Sequence, residues 1–173
     1  MSRAALDITK PIGILGGGQL GRMLGLAGLN LGRRCRFMDQ AEDAVAGHVG
    51  ELHVDDFDNP TRLDTFTHGL SVASYEFENV PGKLAAAVAQ RVTLYPGVLA
   101  LQTAQDRLSE KTLFRKLGIG TPEFRAVDSL DQLHGAVKEV GMPCVVKTRR
   151  LGYDGKGQAV IRQSGAIDAA WAS

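Results

Sequence analysis

The chain has 173 residues and a formal net charge of +1, with 44% apolar residues. That length and apolar content suit a packed core rather than disorder, and the near-neutral balance argues against a general nucleic-acid binder. No stretch approaches the roughly 18 apolar residues of a membrane span, and "MSRAALDITKP" lacks the apolar core of a secretory signal. Cys35 and Cys144 both lie in apolar runs. They read as buried free thiols in a reducing compartment, so the cytoplasm is the expected location.

"PIGILGG" (11–17) reads as a buried strand stopped by glycines. A helix follows over 19–31, with Leu20, Met23, Leu24, Ala27 and Leu31 on one apolar face and Gly32 as the stop. "RCRFMD" (34–39) is a second strand ending in an acid, "AEDAVAGHV" a short helix and "ELHV" (51–54) a third strand. "NPTRLDTFTHG" enters a helix through Asn-Pro. "LSVASYEFE" (70–78) is the fourth strand, Pro81 opens the helix "GKLAAAVAQ", and "VTLY" (92–95) is a fifth strand. Strands alternating with helices predict a parallel sheet covered on both faces, a doubly wound, Rossmann-like α/β unit over 1–97.

A second domain, 98–173, begins with a linking stretch. A charged amphipathic helix then runs from about Asp106 to Leu117, ended by Gly118. "EFRAV" is a predicted strand, "SLDQLHGAVKEVG" a helix capped by Ser129 or Asp128, and "PCVVKT" and "QAVIR" strands. "GAIDAAWAS" is the start of a further helix.

Three stretches carry candidate chemistry. Gly16-Gly17-Gly18-Gln19-Leu20-Gly21 satisfies G-x-G-x-x-G between a strand and a helix, where backbone amides can meet an anion. With Asp39 at the end of the next strand it forms an NAD(P)-type fingerprint, although such glycines also serve strand-to-helix packing. Glu76 and Glu78 stand two apart at the end of the fourth strand, with Asn79 beside them. They can hold an amine or a sugar hydroxyl, or be an acidic loop before a helix. Lys147 closes an apolar strand, so its ammonium is expected to emerge from a dry site suited to phosphate. The loop after it, with Gly152, Gly155 and Gly157 among basic residues, suits a cover over a polyphosphate. It does not fit the Walker spacing. The four histidines show no metal-ligand spacing, and no Ser/His/Asp or Cys/His arrangement is readable.

Together, "GILGGGQLGRM", "YEFENVP", "QDRLSEKTLFRKLGI" and "VVKTRRLGYDGKGQ" resemble the N-terminal half of carboxyaminoimidazole ribonucleotide synthases, ATP-grasp carboxylases of purine synthesis. The resemblance runs from about residue 11 to about residue 165. It implies a Rossmann-like pre-ATP-grasp domain followed by an incomplete ATP-grasp domain. It also implies ATP-dependent joining of bicarbonate to the amine of aminoimidazole ribonucleotide. In that reading Arg107 and Lys147 touch ATP phosphates, and Gly152, Tyr153, Asp154, Gly155, Lys156, Gly157 and Gln158 form a lid over them. Tyr153, Asp154 and Lys156 lie where lid and substrate meet, and Gln19, Leu20 and Glu76 line the ribonucleotide site. Members of the family are longer. Magnesium ligands are therefore expected beyond residue 173, and residues 1–173 are expected to be a fragment inactive alone. The partners implied are small molecules, with neither nucleic acid nor membrane; the family often forms dimers, so a homodimer is carried as an expectation. An NAD(P)-dependent oxidoreductase and a non-catalytic binding fragment remain as alternatives.

Overall fold

Short apolar runs ended by a glycine or an acid build the sheet of the first unit. In this computed structural model, which describes residues 7–152 and 154–172, they are β1 (Ile12–Leu15), β2 (Cys35–Asp39), β3 (Glu51–Val54) and β4 (Val72–Tyr75). The strands are parallel in the order β3-β2-β1-β4, half of a doubly wound sheet. The predicted strand 92–95 shrinks to one parallel bridge, Leu94 to Ala73. The carbonyl of Thr93 and the amide of Tyr95 still pair with Ala73 at 2.9 Å each, so only one residue's worth of ladder forms at this edge. "LSVASYEFE" is likewise strand only over Val72–Tyr75, which leaves Glu76 and Glu78 beyond its end.

Both faces of the sheet are covered, which is why its strands read as continuous apolar runs. Ile14, Cys35 and Phe37 pack with Ala46, which lies in a 3-10 turn (Val45–His48). On the opposite face Leu15, Met38 and Ala73 meet α2 (Leu63–Thr67), α3 (Gly82–Ala89) and α4 (Val98–Ala104) through Phe66, Leu84, Val88 and Leu101. The stretch expected to be a simple linker is thus helical, and Leu101 anchors it in the core. Burying a side chain such as Phe66 contributes about 1.5–3 kcal/mol.

The first helix, α1 (Gln19–Asn30), turns the opposite way from its apolar stripe. Leu20, Met23 and Leu31 are 54%, 62% and 78% exposed, and the buried positions are Gly21 and Gly25. Glycine decides the orientation because it lets the helix backbone lie close to the sheet. A Cβ at Gly25 would stand 2.6 Å from Val49 Cγ2 and 3.0 Å from Phe37 Cζ.

The chain divides into two compact units, Met1–Gln102 and Thr103–Ser173. In the second, Asp106 caps α5 (Arg107–Lys116). Gly118, at φ 73°, ends it: its amide donates to the Arg115 carbonyl, and the Ile119 amide donates to the Phe114 carbonyl. That pair of bonds is a Schellman stop. Ser129, not Asp128, caps α6 (Leu130–Val140) by accepting from the Gln132 amide. The antiparallel pair β5 (Cys144–Lys147) and β6 (Gln158–Ile161) packs with α6 and α7 (Ile167–Ala172) around Leu133, Val137, Ile161 and Ile167. "EFRAV" is no strand, since no second strand pairs with it among the described residues. Its Phe124 ring instead lies 4.1 Å from the Arg115 guanidinium. Both cysteines are free; Cys35 is buried, its thiol pKa pushed up by that burial, while Cys144 is half-buried. No helix among the described residues is long and apolar enough to cross a membrane.

The Gly25 contacts set up a test. Gly25→Ala gains about 1 kcal/mol of helix propensity, but overpacking against a covered sheet costs about 1–3 kcal/mol. The expected result is a net loss of about 1 kcal/mol in urea-unfolding stability; a higher unfolding midpoint would contradict this packing.

Candidate functional site

The parallel register delivers two acids to one place in the first unit. Leu15 lies opposite both Met38 and Tyr75, so the next residues, Gly16, Asp39 and Glu76, emerge side by side at the carboxyl ends of β1, β2 and β4. Ligands of open α/β sheets gather at this edge. The Gly16 amide donates to the Met38 carbonyl at 2.8 Å, and the Glu76 amide to the Leu15 carbonyl at 3.0 Å, extending the ladder into the turn.

The two carboxylates then take up the amides of the glycine turn. Asp39 Oδ2 accepts from Gly17 at 2.6 Å, and Oδ1 from Ala41 at 3.0 Å. Glu76 Oε1 accepts from Gly18 at 3.2 Å, while Oε2 accepts a short bond from Gly21. A Cβ at Gly21 would lie 2.6 Å from Glu76 Oε2 and 2.8 Å from the Gly16 carbonyl oxygen, so this position must stay bare. The N-terminus of α1 is therefore capped by the chain's own negative charge, which favours it electrostatically. A dinucleotide pyrophosphate would need these same amides. The oxidoreductase alternative thus finds its phosphate donors taken and its ribose acid, Asp39, engaged at both oxygens. Gln19 and Leu20 sit on the exposed rim of the turn, at the first two positions of α1. Glu76 is half-buried, and Glu78 and Asn79 are exposed beyond it.

In the second unit the antiparallel pairing places Lys147 opposite Gln158. Lys147 does not emerge from a dry site. Alternation along β5 turns Cys144 and Val146 toward the core and leaves Val145 and Lys147 exposed, because helices cover only one face of this hairpin. The open face also carries Val160, opposite Val145; the two valines are 50% and 49% exposed.

Between the strands the loop is closed at its base by the Thr148 amide, which donates to the Gly157 carbonyl at 2.8 Å. Leu151, Asp154, Gly155 and Gly157 all take left-handed backbone, at φ 62°, 47°, 81° and 65°. Arg107, the first residue of α5, reaches this loop: its Nη2 donates to the Gly152 carbonyl at 3.2 Å. Asp154, Gly155 and Lys156 lie in the exposed turn, and Tyr153 falls outside the described residues. Lys147, Gln158, Arg107 and Gly152 are thus gathered around one hairpin.

Sequence reasoning assigned no functional part to Asp106, although an Asp directly before a charged helix is an N-cap signal. Its Oδ1 accepts from the amides of Leu108 and Ser109, and its Oδ2 from Arg149. Nothing in the sequence pattern announces that last pairing, which spans 43 positions. His53 pairs with Glu51 and His134 with Asp168, at 2.7 and 2.8 Å. No group of three or more His, Cys, Asp or Glu side chains suited to a metal ion occurs among the described residues.

Two family models match successive parts of the chain. The family model described as the ribonucleotide synthetase preATP-grasp domain matches residues 9–105, more than half of the chain. The chain belongs to that family. An ATP-grasp domain model matches residues 112–173, so the preATP-grasp unit is followed by part of an ATP-grasp domain. A Pseudomonas aeruginosa protein named N5-carboxyaminoimidazole ribonucleotide synthase is 45% identical over 93% of this chain. The crystal structure of the Thermus thermophilus N5-carboxyaminoimidazole ribonucleotide synthetase is 49% identical, with a TM-score of 0.83 over 92% of the chain. The Staphylococcus aureus synthetase, solved as a complex with ADP, is 31% identical, with a TM-score of 0.90 over 99%. This preATP-grasp chain spans 45%, 42% and 46% of those three proteins, less than half of each.

The carboxylate-to-amide bonds of the preATP-grasp unit predict a specific loss. In Glu76→Gln one acceptor oxygen becomes an NH2 group facing a backbone N–H, so one of Gly18 and Gly21 is left unpaired. A buried unpaired donor costs about 1–3 kcal/mol. The expected result is a fall of that size in urea-unfolding stability; unchanged stability would contradict the bonding.

Proposed function

We propose that this chain is the N-terminal part of an ATP-dependent carbon–nitrogen ligase of purine biosynthesis. It would carboxylate the amine of 5-aminoimidazole ribonucleotide with bicarbonate, releasing ADP and phosphate. The observation that carries the reading is the basic glycine hairpin: Lys147 stands opposite Gln158 at its base, and Arg107 reaches its Gly152 carbonyl. Cations at both sides of a closable loop suit a triphosphate. The valine pair beside Lys147 gives the open face an apolar floor. The ADP complex of the Staphylococcus aureus relative supports the same use of the ATP-grasp unit.

In the proposed reaction a bicarbonate oxygen attacks the γ-phosphorus of ATP, the bond to ADP breaks, and carboxyphosphate forms. The amine then attacks the carboxyl carbon, or carbon dioxide released from it in the closed site. A nitrogen–carbon bond forms, phosphate departs, and the amine loses a proton. Arg107 and Lys147 would hold phosphate oxygens as charge builds on them. The loop Gly152–Gln158, with Tyr153, Asp154 and Lys156, would exclude water from the labile acyl phosphate. Glu76, Gln19 and Leu20 would line the ribonucleotide site at the edge of the parallel sheet. Among the described residues no group of three or more His, Cys, Asp or Glu side chains is placed to hold magnesium.

The full-length protein carrying this sequence should hydrolyse ATP only when bicarbonate and aminoimidazole ribonucleotide are both present. Lys147→Ala should cut that turnover by about 100-fold or more while the melting temperature holds. ATP turnover equal with and without the ribonucleotide would contradict the proposal.

A further inference from the structure

Asp106 is where the start of α5 and the stem of the glycine hairpin are fastened together, and its side chain is only 14% exposed. Oδ1 accepts from the amides of Leu108 at 3.0 Å and Ser109 at 2.9 Å, closing the first turn of the helix. Oδ2 accepts from both Nε and Nη2 of Arg149, at 3.1 and 2.8 Å. The next amide along the chain, that of Arg107, donates to the Arg149 carbonyl at 3.0 Å. Beside it the Arg150 guanidinium donates to Gln105 Oε1 at 3.3 Å. Residues 105–107 and 149–150 are therefore joined by both side-chain and backbone bonds.

An N-cap needs one acceptor oxygen. Asp106 uses both of its oxygens, and four N–H groups converge on them. The second oxygen has no capping role; its occupant is a guanidinium at the root of the hairpin, whose Nε and Nη2 both donate to that one charged oxygen. The Ser109 amide and the Arg149 guanidinium hold the Asp106 carboxyl below the usual carboxylate range, against the opposing effect of its burial, so the charge persists at neutral pH. Arg107 follows Asp106 directly and is the residue whose side chain reaches the Gly152 carbonyl.

We infer that Asp106 is a positioning residue: by tying Arg149 to the first turn of α5 it fixes where Arg107 meets the glycine loop, and so sets the grip on ATP phosphates. The inference rests on the proposed role of that loop as an ATP cover. If Asp106 served only as a helix cap, any good capping side chain would replace it.

Asp106→Ser separates the two roles. Serine caps α5 nearly as well, but one hydroxyl oxygen cannot also take two N–H groups from Arg149. In the full-length protein the KM for ATP should rise about tenfold, as for loss of a charged hydrogen-bonded pair. The KM for the ribonucleotide and the melting temperature should stay near wild type. Tryptic cleavage after Arg149 and Arg150 should be faster in the variant, and ATP should slow it less than in wild type. An unchanged KM for ATP would overturn the inference. So would a rise in both KM values together with a lower melting temperature, which is the mark of a structural role. A wild-type protein without ribonucleotide-dependent ATP hydrolysis would sink the functional proposal instead. The tryptic comparison would then decide the inference alone, with equal cleavage of variant and wild type overturning it.

Discussion

Backbone amides at the end of a strand need partners, and in this chain carboxylates supply them. Asp39 and Glu76 hold the amides of Gly17, Gly18 and Gly21, and the parallel register of three strands makes this possible. A one-residue slip would send both acids to the wrong side of the sheet. The glycine packing of α1 depends on the same arrangement, because the helix can lie close to Phe37 and Val49 only when its start is fixed at the turn. Fold and candidate site therefore share one set of bonds in the first unit.

The same device recurs in the second unit. Asp106 ties amides and a guanidinium at the root of a loop whose backbone is left-handed at four described positions. A loop of that kind needs a firm root if it is to close in one place. The two units differ at their glycine turns. The first satisfies its helix start internally, and the second presents Lys147 and Arg107 around a glycine hairpin.

Much of this was legible in the sequence, for physical reasons. The parallel sheet followed from apolar runs punctuated by glycine and acid, and the start and stop of α5 from Asp106 and Gly118. The inward face of α1 was not legible: a stripe of Leu20, Met23 and Leu24 has the period of a buried face, but glycines let the opposite side approach more closely. The setting of Lys147 was missed because an apolar strand suggests two covered faces, whereas this hairpin has helices on one. "EFRAV" has strand composition without a strand to pair with. Asp39 and Glu76 were visible as acids at strand ends; that they would bond to the glycine amides instead of standing open required the three-dimensional register. The Asp106–Arg149 bond joins residues 43 apart, beyond the reach of any local pattern.

The proposed function requires ATP phosphates to bind at the glycine hairpin and not at the first glycine turn. Backbone 1H–15N resonances followed during separate titrations of the full-length protein with ATP and with NADH test it directly. With ATP, the amides of Gly152, Gly155 and Gly157 should shift while those of Gly17, Gly18 and Gly21 stay in place, and NADH should move neither set. Shifts concentrated at Gly17, Gly18 and Gly21 with either nucleotide would contradict it.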